Sequence, residues 1–215
     1  MSHNSTNSFG SNPQPGIGDQ IPGEHFTNGP NLVPRFPTVT AAILHYIRVI
    51  PNEVAAIDHA EAGRRQITYS ELGRRSRCLA KSLQAAGVGP GDRVPLVVKR
   101  GIDMVVGIAA ILRCGAQYVP LDGGVAPKGT LQRVIEQSAG KVVVCLRSTS
   151  HRVDNLDLGD SRVIIIDQGT SDISDIEDNG YAELLPGESP TSESGCYIIY
   201  TSGMSLEIPA INHNA

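Results

Sequence analysis

Residues 93–122 read RVPLVVKRGIDMVVGIAAILRCGAQYVPLD. Arg93 to Val98 is an apolar run of strand length, and such a run predicts a strand buried on both faces. Ile102 to Cys114 is apolar nearly all round, as in a helix deep inside a protein. Asp103 stands near its start, where the helix dipole favours an anion, and Gly115 stops it. Tyr118 to Leu121 is a second short strand, with Pro120 suited to a strand end. Strand, helix and strand in this order form a crossover unit with parallel strands.

The same alternation extends downstream. Leu131, Val134 and Ile135 mark a helix, Lys141 to Leu146 a β-branched strand, and Val163 to Ile166 another. Val153 to Leu158 fits strand and helix equally well. Gln168 to Ser194 is acidic and rich in turn residues, a long surface connection, and Cys196 to Tyr200 is the last strand.

Upstream, Val39, Ile43, Tyr46 and Ile47 recur at helical spacing between a Thr38 or Thr40 cap and Pro51. Val54 to Ile57 and Arg65 to Thr68 pair across a polar turn. Thr68 and Glu71 form a capping box before a helix with Leu72, Leu79 and Leu83 on its core stripe, and Gly87 ends it. Gly87 to Asp92 is a tight turn rather than a dinucleotide loop. Asp92 occupies the third glycine's place, and the turn follows a helix and precedes a strand. The expected fold is therefore α/β, a parallel sheet flanked by helices. Residues 1–36, rich in Ser, Asn, Gly and Pro, are a disordered leader, 37–205 the domain, and 206–215 a divergent tail.

Of the 215 residues, 40% are hydrophobic, enough for a core, but only 4% are aromatic, so aliphatic side chains must fill it. A net charge of −4 gives no electrostatic reason to bind nucleic acid, and no basic membrane-binding face is evident. No stretch reaches the ~18 apolar residues of a membrane span. Met1 to Gly10 has no apolar signal core, so a cytoplasmic location is expected. Cys78, Cys114, Cys145 and Cys196 are too far apart for a zinc motif and read as free thiols, Cys114 and Cys145 buried in apolar runs. No metal-ligand set and no catalytic residue is read from the chain. Asp58-His59, Arg64-Arg65, Arg74-Arg75, His3 and His25 read as solvated surface groups, His45 as a surface or packed residue, and His151 and His213 as isolated.

The chemistry sits after the last strand. Hydroxyls and free amides at a strand end can wrap phosphate oxygens, and glycine lets the backbone approach. Thr201, Ser202 and Gly203 are the candidate phosphate-binding residues. Three segments in order resemble the adenylate-forming superfamily of acyl-CoA synthetases, luciferases and peptide-synthetase adenylation domains. They are Ile67 to Leu72, Ile111 to Asp122 and Tyr197 to Gly203. The Tyr118-Val119-Pro120-Leu121-Asp122 run looks most like the nonribosomal peptide synthetase branch. The resemblance implies the first part of the large N-terminal domain of such an enzyme. It implies ATP with Mg2+, a carboxylic or amino acid that attacks the α-phosphate, and a thiol acceptor, coenzyme A or a carrier protein.

The resemblance adds Ser205 to the phosphate-binding candidates and stops after it. Leu206 stands where the family loop has glycine, Glu207 brings negative charge, and no Pro-Lys-Gly follows. The expectation is a truncated family member that is inactive alone and binds no cofactor itself. Two alternatives stay open: a non-catalytic interaction or regulatory module whose partner covers exposed core, and an unrelated nucleotide-binding α/β domain.

Overall fold

The computed structural model describes residues 33–60, 63–166 and 190–200, together with the strand backbone of 210–214. The leader up to residue 32, most of the acidic connection and Thr201 to Ser205 lie outside the described residues. Residues 36–215 form one compact unit. The Phe36 ring lies 5.0 Å from that of His45, so His45 is a packed residue.

Helix α1 (Val39–Val49) is capped by Thr38, whose hydroxyl accepts from the Ala41 amide at 3.0 Å. Thr40, the other candidate cap, is buried and donates to the Leu112 carbonyl. Strands β1 (Val54–Ala60) and β2 (Gly63–Thr68) form a separate antiparallel pair. Helix α2 (Tyr69–Ala85) follows without a break. Only half of the expected capping box is made: Thr68 accepts from the Glu71 amide, while the Glu71 carboxylate turns to Arg74 at 3.3 Å. A box needs the glutamate to reach the cap's own amide, and a neighbouring guanidinium is the stronger partner. At the other end Gly87 has φ +86, and the Gly87 and Val88 amides donate to Gln84 and Leu83. That is a Schellman ending, with Val88 buried beside Leu83.

The central unit is β3 (Arg93–Val98), α3 (Ile102–Arg113) and β4 (Gln117–Asp122). After it come α4 (Lys128–Ser138), β5 (Val142–Cys145), the single-turn α5 (Arg147–Ser150) and β6 (Arg162–Ile165). Residues 151–158, the ambiguous run, form turns that bury Val153 rather than a helix or strand. Strand β7 (Gly195–Tyr200) completes five parallel strands. It is not the last strand, because β8 (Ala210–Asn214) pairs antiparallel with it. The sheet order is β6-β5-β3-β4-β7-β8.

Alternation along β3 and β4 divides the core. Val94, Leu96 and Val98 face α2 and α3, with Val106, Ala110 and Ile111 on the helix side. Val97, Val119 and Leu121 face α4 through Leu131, Val134 and Ile135. Each fully buried aliphatic side chain contributes roughly 1.5–3 kcal/mol. The βαβ stretch therefore supplies much of the apolar stabilisation.

Pro120 departs from expectation: it is the fourth residue of six in β4, opposite Leu96 of β3. The pairing of β4 with β7 is confined to Tyr118 and Tyr197, two residues short of Pro120. A ring nitrogen has no proton for the ladder, so the proline is tolerated where pairing on one side has ended.

The paired arginines are corrected too. Arg65 contacts Asp58 at 2.7 Å and Asp103 at 3.6 Å. Arg75 contacts Asp103 at 2.5 Å, and its side chain is only 13% exposed. Asp58 also accepts from the Ile102 amide, so it acts as a cap on α3 supplied by the hairpin. Arg65 and Arg75 look like surface charge in sequence because their partners lie far along the chain.

Candidate functional site

The carboxyl edge of the parallel sheet gathers the ends of β3, β4, β5 and β7. Strand β3 leads into Lys99 and Arg100, and β5 into Arg147, all exposed. Strand β4 ends at Asp122, whose Oδ1 accepts from the Gly124 amide at 2.8 Å and from the Val125 amide at 3.2 Å. That carboxylate fixes the turn by which the chain leaves the edge.

Thr149 ties three of these exits together. It is fully buried, donates to the Val97 carbonyl at 2.7 Å and accepts from the Leu146 amide at 3.0 Å. Its methyl lies so close to Gly123 that an added Cβ there would come within 2.7 Å of it. The single-turn α5 thus sets the height of the β3, β4 and β5 ends.

The exit of β7 is where the sequence reading put its chemistry. Tyr200 is the last residue of β7, half-buried against the α4 side, and burial pushes its hydroxyl pKa up. Tyr200 stands opposite Ala210, the first residue of β8. Tyr200 and Ala210 therefore both stand at the carboxyl edge. Of the candidates, Thr201, Ser202, Gly203 and Ser205 themselves lie outside the described residues. On the α3 face, Tyr118 stacks on Tyr197 with ring centroids 5.5 Å apart. Burial raises the pKa of Tyr118 and of the Cys196 thiol, which keeps both protonated. All four cysteines are free, and Cys114, Cys145 and Cys196 are buried.

Sequence reading passed over Lys99, Arg100 and Thr149. Lys-Arg after an apolar strand marks a carboxyl edge only once the strand is known to be parallel, and Thr149 acts through tertiary contacts alone. Among the described residues no group of His, Cys, Asp or Glu is placed to hold a metal, and no helix is long and apolar enough to cross a membrane.

Comparison with known proteins joins this edge to a family. The pattern of the family described as "AMP-binding enzyme" matches residues 45–204. Adenylate-forming reductase 06235 of Coprinopsis cinerea is 35% identical over 160 residues, 74% of this chain and 15% of the reductase. Zwittermicin A synthase ZmaJ of Bacillus cereus is 36% identical over 153 residues, 71% of this chain and 26% of that protein. The chain thus spans about a quarter or less of these relatives. Among solved structures, the nonribosomal peptide synthetase FmoA3 in its AMPPNP-bound form superposes with a TM-score of 0.63 at 25% identity. That superposition covers 78% of this chain and 16% of FmoA3. The fatty acyl-adenylate ligase of L. pneumophila shares the fold, with a TM-score of 0.68 at 20% identity over 84% of this chain and 31% of the ligase. With the family pattern covering most of a doubly faced parallel sheet, this chain belongs to the AMP-binding, adenylate-forming enzyme family.

Proposed function

We propose that residues 201–205 form the phosphate-gripping turn of an ATP-dependent acid-activating ligase, and that these 215 residues do not complete the reaction alone. The observation that supports this is the pairing of Tyr200 with Ala210 at the carboxyl edge. There the hydroxyls of Thr201, Ser202 and Ser205 and the Gly203 amide can converge on phosphate oxygens. Lys99 and Arg147, on neighbouring exits, add positive potential to the same edge.

The reaction is attack of a carboxylate on the α-phosphate of MgATP. Pyrophosphate departs to leave an acyl-adenylate, whose acyl group then passes to the thiol of coenzyme A or of a carrier protein with release of AMP. Such transfer depends on positioned charge. The family match ends at residue 204, and beyond it Leu206 stands where the family loop has glycine and Glu207 brings negative charge. A carboxylate beside the triphosphate opposes the charge that builds in the transition state. The family match sets aside an unrelated nucleotide-binding domain. A cytoplasmic location is supported by the four free thiols.

The test uses the full chain in two assays. Pyrophosphate binding is measured by calorimetry, and acid-dependent exchange of labelled pyrophosphate into ATP across the amino acids and short fatty acids. The expected result is weak pyrophosphate binding, reduced about tenfold in T201V/S202A as two hydrogen bonds are lost, with no exchange. Unchanged binding in the double variant would remove the phosphate turn, and clear exchange would remove the claim of incompleteness.

A further inference from the structure

A second site lies on the same edge but on the α3 face. We propose that the hollow over the carboxyl ends of β3 and β4 binds a short aliphatic monocarboxylate, with Arg100 holding the head and Leu96, Val98, Met104 and Pro120 lining the tail. The hollow has a volume of about 170 Å3. Its position follows from topology. Strand β3 exits into α3 on one face, whereas β4 exits into α4 on the other, and β4 then returns across β3 to reach β5. The chain parts at this reversal, and a crevice opens outside the strand ends.

The lining decides the ligand. The floor is apolar, and Met104 can adjust to the shape of a tail. Two charged groups stand at the mouth, Arg100 and Asp122, and they are not equivalent. Asp122 is engaged by two backbone amides in its own turn. Arg100 is exposed and makes no ion pair with any described residue. Lys99 beside it adds a second positive charge. The mouth therefore favours an anion, and a guanidinium fork matches a carboxylate with two hydrogen bonds. A hollow of this size admits a tail of a few carbons. The site uses none of residues 201–205, so it stands or falls separately from the phosphate turn.

The test is a titration of the full chain with straight-chain carboxylates from acetate to octanoate, followed by the methyl NMR signals of Leu96, Val98 and Met104. Shifts should be confined to those methyls. Affinity should rise about fourfold for each added methylene until the hollow is full, and then level off. Arg100→Gln, at an exposed position, should weaken binding about tenfold, the loss of a charge-assisted bond. Met104→Phe should abolish binding, with its melting curve checked against the parent. Glu136→Gln, at the separate hollow by the amino edge, should change nothing. Binding that ignores tail length, equal binding of the matching alkylamine, an unchanged Arg100→Gln variant or no saturable shift at all would each overturn the proposal. Should Met104→Phe fail to fold, the chain-length series and Arg100→Gln decide the matter.

Discussion

The β3–α3–β4 unit and the β1–β2 hairpin both lean on α3, yet different physics holds each. Eight of the twelve residues of α3 are buried, and five of the six in β3. In β2 only Ile67 is buried, while Val54 and Ile57 of β1 remain 41% and 45% exposed. Among the described residues the hairpin reaches the core only through Ile67, Ala55 and Ala56, and is further tied by the charges of Asp58, Arg65, Asp103 and Arg75. Apolar burial is non-directional and indifferent to pH. Ion pairs need geometry and ionised partners, and exposed ones contribute little.

The largest expected effect comes from breaking the apolar side. Ile111 is fully buried between α3 and the sheet. Ile111→Ala should cost about 2–5 kcal/mol through lost burial and an unfilled cavity. Arg65→Ala should cost under about 1 kcal/mol, since the Arg65 side chain is 52% exposed. Urea denaturation of both variants checks the contrast. Equal losses would mean that the hairpin is as integral to the core as the βαβ unit.

The same division explains what could be read from sequence. Residues 93–122 announce their fold because buried strands and an all-round apolar helix leave one periodicity each, and Gly115 punctuates them. The hairpin also showed its strands, but its attachment did not show. Asp58 and Ile102 are far apart in the chain, and nothing local marks one as the other's cap. Pro120 misled for a related reason: whether a proline may sit inside a strand depends on where the neighbouring ladder ends, a property of β7. At the site, Cys196 to Tyr200 was legible as a strand, while Thr201 to Gly203, read as the start of a phosphate turn, lie outside the described residues. Strand β8 was not legible, because Ala210–Asn214 lacks both alternation and β-branched weight. The hollow at Arg100 depends on the strand order, which no single segment encodes.

A second, intermediate effect tests how the hairpin is seated. Gly101, the residue before α3, has φ +152, and an added Cβ would come 2.7 Å from Asp58 Oδ2. Gly101→Ala therefore combines backbone strain with displacement of the carboxylate from the helix end, and should cost about 1–3 kcal/mol. In the G101A/D58A double variant the steric part should vanish, so the double variant should lose less stability than the two single variants summed. Strict additivity would show that Asp58 does not occupy the space over the glycine.

The smallest effect is the most diagnostic of mechanism. The Arg65 guanidinium beside Asp58 holds its carboxyl pKa below the ordinary value, helped by the Ile102 amide. A depressed folded pKa means that the pairing stabilises fully above the unfolded value of ~3.9. Its contribution is lost as pH falls from there through the folded value. Arg65, its pKa raised by the same partner, stays charged throughout that window. Amide exchange compared at pH 6 and near pH 3, corrected for intrinsic rates, should show protection falling in β1 and β2 while β3 keeps its own. Asp58→Asn removes the titrating group, so its hairpin should start less protected and lose little more on acidification. If the parent and Asp58→Asn hairpins lose protection in parallel, acid acts elsewhere, and Asp58 is not the charge that seats the hairpin on α3.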